Sequence, residues 1–139
     1  VAAQLAATDR LDFFGNVSWV SDDFFDNEEL EEEGADLAVA LNAPALKVKG
    51  GFAYSIPRGL SFNASGRYTE GYPVRSGPYV GDVESYFLLD LGAGYDFDRY
   101  VPGLRFDITV QNVLNNEHRE FIGAPQIGRL ALARLTYSL

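Results

Sequence analysis

Cysteine and methionine are absent from the 139-residue chain, histidine and tryptophan occur once each, and lysine plus arginine total 11 against 20 acidic residues. Each scarcity removes a class of protein. Without thiols there is neither a disulfide framework nor a thiolate metal centre, and the same lack suits an exported bacterial protein. A net charge of −9 argues against nucleic acid as a partner, because phosphate binding needs a basic surface. His118, beside Glu117 and Glu120, is one imidazole without further nitrogen or sulfur ligands, a poor transition-metal site. There is no G-x-S-x-G elbow, and a single histidine leaves little for nucleophilic catalysis. No catalytic residue, metal ligand or cofactor is therefore expected. No apolar run approaches the roughly 20 residues of a spanning helix, which excludes a helical membrane protein and leaves membrane-crossing strands open. The start VAAQLAATDR lacks a basic region followed by an apolar core, so no signal peptide is read and the chain is expected to be a mature or partial product.

What is present is alternation. In GLRFDITVQNVLNN, Gly103 to Asn116, the residues Leu104, Phe106, Ile108, Val110 and Leu114 fall on one parity. Arg105, Asp107, Thr109 and Gln111 fall on the other, with Asn112 the exception. This is the period of a strand with one apolar and one wet face. The pattern recurs from about 10 to 22 (Leu11, Phe13, Val17 and Trp19 against Asp12, Asn16 and Ser18), from Ala45 to Ile56, and from Leu60 to Thr69. It returns from Phe87 to Asp98 and, more weakly, from Arg129 to Leu139. Residues 1 to 10 give no clear assignment. Pro57-Arg58-Gly59 reads as a tight hairpin turn.

About six strands emerge, each near the ~9–11 residues that cross a bilayer when tilted. The intervening connections are in turn long, short, long, short and long. That asymmetry belongs to up-and-down barrels of the outer membrane, with short turns on one rim and long loops on the other. The polar parity carries Asp12, Lys47, Lys49, Arg67, Asp90, Asp96, Arg105, Asp107 and Arg134, too many charges to bury dry, so this face needs a watery lumen. The apolar parity includes Trp19, Tyr54, Tyr68, Tyr95 and Tyr137, rings that favour a water–lipid boundary. The fold class expected is all-β, an antiparallel transmembrane β-barrel segment. Six strands are too few to close a barrel, since eight is about the smallest number whose interior holds side chains. A soluble two-layer sheet with one solvated face is the alternative, and it would place Phe62, Leu91 and Ile108 in a dry centre.

Long connections are read at 22 to 44, 70 to 85 and 115 to 127. Nine of the 20 acidic residues lie between Asp22 and Asp36 without a lysine or arginine among them, and a solvated loop is expected there; DDFFDNEE lacks the glycine-containing calcium-loop pattern. The lumen charges are expected to pair with one another or with other parts of the protein. Asn112 is expected to mark a strand end, with a turn-forming amide. Substrate-binding residues are not assigned by the sequence.

Read in series, Asn42-Ala43-Pro44, Gly66-Arg67-Tyr68, Val110-Gln111-Asn112-Val113-Leu114-Asn115 and Gly123-Ala124-Pro125-Gln126-Ile127-Gly128-Arg129 before a terminal strand resemble the carboxy-terminal barrel of a TonB-dependent outer-membrane receptor, from about Leu11 to Leu139. His118-Arg119-Glu120-Phe121-Ile122 before Gly-Ala-Pro resembles the Bacteroidetes type, which often carries a carboxypeptidase-regulatory-like amino-terminal domain. The resemblance implies a barrel of about 22 strands closed by a plug, of which residues 1 to 139 are a part without plug or TonB box. It further implies import of a siderophore, cobalamin, haem or glycan or peptide ligand with energy from TonB, and a periplasmic C-terminus. The implied partners are membrane lipid and lipopolysaccharide, the TonB complex through an amino-terminal region, and the remaining strands and plug. The family usually ends in Phe or Trp, whereas this chain ends in Leu139. A passive porin, an adhesion barrel and a soluble β-sheet binding module are the other readings.

Overall fold

The computed structural model describes residues 1–21 and 42–139. The acidic stretch, with its expected loop character, lies outside the described residues. Seven strands form one antiparallel sheet in chain order: β1 (Ala2–Thr8), β2 (Leu11–Trp19), β3 (Leu46–Ile56), β4 (Leu60–Thr69), β7 (Tyr86–Asp96), β8 (Leu104–Gln111) and β9 (Leu130–Tyr137). Between β4 and β7 the chain makes a separate two-stranded hairpin, β5 (Tyr72–Ser76) and β6 (Tyr79–Val83). Each wall strand pairs with its neighbour in sequence, the up-and-down order expected of a barrel wall.

Register turns the alternation into two faces. Along one cross-strand row run Leu5, Phe13, Phe52, Ala64, Leu91, Val110 and Ala131. One residue over, on the opposite face, run Asp12, Ala53, Asn63, Gly92, Thr109 and Leu132. Among the described residues no dry centre lies beneath the apolar face: Phe62, Leu91 and Ile108 are 41%, 41% and 43% exposed. Among the described residues the buried hydrophobic side chains are Val74 and Val83 of the hairpin and Leu88 of β7. The wall therefore coheres through its backbone ladder and cross-strand pairs such as Phe13 with Phe52, rings 6.3 Å apart.

Two elements exceed what alternation showed. β1 is a seventh wall strand; its alanines give little contrast between faces, and only Leu5, opposite Phe13, marks the apolar side. The 70 to 85 connection, expected to be a loop, contains the β5–β6 hairpin, turning at Gly77 with φ 56°. In the β3–β4 turn Gly59 takes the positive φ its residue type allows, while Arg58 takes one against its preference. Arg58 and Gly59 have φ 95° and 86°, and a side chain on Gly59 would strike the Asp96 backbone, so the position takes glycine on two counts.

Asn112 ends β8 as its side chain allows. It has φ 50° and is 3% exposed. Its Oδ1 accepts from the Asn116 N–H and its Nδ2 donates to the Asn116 carbonyl, both at 2.9 Å, while its own N–H donates to Asp90 Oδ1 at 2.8 Å. Asn116 Nδ2 reaches the Phe87 carbonyl, and Asn115 Oδ1 accepts from the Arg129 N–H. The ends of the last long connection are thus tied to β7 and β9 before it departs.

On the polar face Arg105 and Asp107 form a bidentate pair, closest at 2.7 Å, and Arg105 also donates to Ser61 Oγ at 3.1 Å. This bears out the expected pairing for these two charges. The cluster lies flat across Gly94, where a Cβ would collide with Arg105, Asp107 and Ser61 together. Gly94→Val should cost about 1–3 kcal/mol, the usual penalty of overpacking, in urea unfolding of the folded protein in detergent micelles. Unchanged stability would show that the cluster moves aside without cost.

Candidate ligand-binding site

Asn42, the β5–β6 hairpin and the connection after β8 meet at one end of the sheet, and side chains lock them together. Asn42, closing the first, accepts the Arg75 N–H of the hairpin at 2.6 Å. The hairpin meets the last connection where the Tyr72 hydroxyl donates to the Glu120 carbonyl at 2.6 Å, where Tyr79 and Phe121 rings lie 5.7 Å apart, and where Ile122 fills the space above Gly81. Burial, helped by Tyr86 and Glu120, holds the Tyr72 phenol above the ordinary tyrosine range, so it keeps the proton it donates.

Two hollows open beside this assembly. The larger, about 460 Å³, is lined by Lys47, Lys49, Arg67, Tyr72, Tyr86 and Glu120 among others. Lys49 and Arg67 are direct cross-strand partners, and Lys47 sits two residues away on the same face. Like charges directly opposite one another oppose pairing. Among the described residues no carboxylate lies within ion-pair distance of any of the three; Lys49 instead stands over the Phe14 ring at 5.8 Å. Among the described residues the expected pairing of lumen charges is seen for Arg105 with Asp107 and not for this trio. Three cations that form no ion pair among the described residues, flanked by tyrosine rings, suit an anion carrying flat, unsaturated groups.

The second hollow, about 340 Å³, is lined by Asp82, Glu84, Glu117, His118 and Gln126 among others. His118, in sequence an ordinary loop residue, is 7% exposed. Its ring stacks on Tyr86 with centroids 4.3 Å apart, and its backbone pairs with Ile127. Nδ1 lies 3.1 Å from the Asn116 carbonyl, whereas Nε2 has no hydrogen-bond partner and its nearest charge is Glu120 Oε1 at 3.8 Å. Among the described residues no group of three His, Asp or Glu side chains is placed to hold a metal ion.

Lys47, Lys49 and Arg67 were visible in the sequence as polar-face charges, but their convergence required the β3–β4 register. Tyr72 and Tyr86 were not singled out, and Glu120 was noted only as a neighbour of His118. The one available signal was the turn Ser76-Gly77-Pro78 between the short segments Tyr72–Ser76 and Tyr79–Val83.

No family model matches the chain, and no curated protein matches it. Solved structures do. A mutant form of the ferric enterobactin receptor PfeA from Pseudomonas aeruginosa matches with TM-score 0.68 at 16% identity, covering 99% of this chain and 21% of the receptor. The same receptor in complex with BCV-L6 matches with TM-score 0.67, and another mutant in complex with enterobactin with 0.66; each is 16% identical and covers 98% of this chain and 21% of the receptor. The chain thus spans about a fifth of the length of the receptors it resembles. Across nearly its whole length it has the fold of a wall segment from a TonB-dependent receptor barrel.

Proposed function

We propose that the chain is part of an outer-membrane receptor that captures an anionic metal chelate of the siderophore class at its long-loop rim and imports it with energy delivered by TonB. The observation that carries this reading is the cluster of Lys47, Lys49 and Arg67 on the polar face, which among the described residues makes no ion pair, beside Tyr72 and Tyr86. It sits on a wall whose fold is that of a ferric enterobactin receptor. The apolar face meets hydrocarbon and the ionic face lines the lumen. The long connections are then external, the C-terminus periplasmic, and lipopolysaccharide surrounds the rim. Further strands pair with the outer edges of β1 and β9, since an unpaired ladder edge has no place in lipid. A plug and a TonB box belong to the remainder of the protein.

Capture follows from charge and shape. The trio supplies localised positive charge to a polyanionic chelate. The tyrosines offer flat surface for unsaturated ligand groups, and the hairpin and the last connection hold Tyr72 and Glu120 in place. Selectivity by charge needs no direct contact between protein and metal ion.

Two measurements test the parts separately. Ile108 and Thr109 are neighbours on β8 with opposite faces. Ile108→Arg should cost about 2–4 kcal/mol in folding into bilayers while Thr109→Arg costs far less; equal costs would overturn the membrane placement. Combined Lys49→Gln and Arg67→Gln should weaken binding of a ferric catecholate by about ten-fold or more, the worth of one hydrogen bond to a charged group. Uptake by cells should cease when TonB is deleted. Undiminished binding would remove the ligand class, and uptake without TonB would leave a passive channel.

A further inference from the structure

Glu120 is an anomaly in this site: a carboxylate lining a hollow whose other charges are cations and which is read as a receiver of anions. It is held there. Its carbonyl takes the Tyr72 hydroxyl, and its half-exposed carboxylate lies 3.8 Å from Nε2 of the buried His118. The tautomer of His118 follows from its other nitrogen. The Asn116 carbonyl can only accept, so Nδ1 carries a proton, and in the neutral ring Nε2 is a bare acceptor with nothing donating to it. A second proton therefore goes to Nε2 and places an N–H cation opposite Glu120.

We infer that His118 and Glu120 form a proton-operated counter-charge that sets the affinity of the Lys47, Lys49 and Arg67 hollow for anions. This rests on reading that hollow as an anion site. With His118 neutral, the Glu120 carboxylate repels an arriving anion and competes for the cations. With His118 charged, the carboxylate has a partner and the anion meets the trio unopposed. Acidification supplies the second proton and so tightens binding, and by reciprocity a bound anion favours the protonated ring. The other groups around the ring are Tyr86, stacked on it from β7; Asp82 and Glu84 from the hairpin side; and Glu117 and Arg119 from its own connection. Lys47 and Lys49 of β3, Arg67 of β4 and Tyr72 of β5 share the hollow with Glu120.

The test is equilibrium binding of benzenedisulfonate, whose charge does not vary with pH, to the full-length protein in micelles at about pH 7.5 and about pH 5.5. Wild type should bind about five-fold more tightly at the lower pH, a coupling of ordinary size. His118→Gln should bind at the weaker level at both, and Glu120→Gln should bind at neutral pH as tightly as wild type does in acid. A pH response that survives in His118→Gln overturns the inference, as does neutral-pH binding by Glu120→Gln no tighter than wild type; the latter residue is half-exposed and tests the idea even if the histidine variant fails to fold. Lys49→Gln should weaken binding at both pH values. Should it not, the anion reading falls instead, whatever the pH dependence shows.

Discussion

The wall depends on its inter-strand hydrogen-bond ladder. A globular domain of this size would gain most of its stability from a packed centre, but here the buried hydrophobic side chains among the described residues are three, two of them in the hairpin. Seven strands are instead joined edge to edge over registers of six to ten residue pairs. A ladder of this kind fixes which residue faces which, and so decides that Lys49 meets Arg67 and Asp107 meets Arg134. The two faces then need only be compatible with their surroundings.

That division explains the contrast between the two sets of charges on the polar face. Arg105, Asp107 and Ser61 lie over Gly94 and satisfy one another, while Asn63 lies over Gly92; in both cases glycine leaves room for a polar side chain to lie along the wall. Lys47, Lys49 and Arg67 lie at the other end, beside Tyr72 and Glu120, and form no ion pair among the described residues. One sheet holds a stretch whose charges pair along the wall and a stretch whose described charges do not. The second tolerates its like-charge opposition because the backbone pairing of β3 with β4 is continuous through it.

What could be read from residues alone was what a two-residue period encodes. The apolar residues of β2, β3, β4, β7 and β8 announced both strand and face, and Asn112 announced a strand end because its amide closes a turn and tolerates positive φ. β1 escaped because alanine on both sides erases the contrast that periodicity needs. β5 and β6 escaped because five residues on either side of a glycine–proline turn resemble any loop rich in those residues. The hollow was illegible for a different reason. Residues 47, 67, 72, 86 and 120 are brought together by three separate connections, and nothing local to any one of them records the others. His118 was read as an ordinary loop residue because its burial comes from Tyr86, distant in sequence.

The β5–β6 hairpin forms no rung of the seven-stranded wall: β4 pairs with β7 directly, from Leu60 opposite Tyr95 to Thr69 opposite Tyr86. The hairpin and the wall are therefore separable modules within a single polypeptide. Descendants of such a sequence are at liberty to lengthen, shorten or exchange this appendage and so reshape this end of the sheet, while the wall beneath is inherited without alteration.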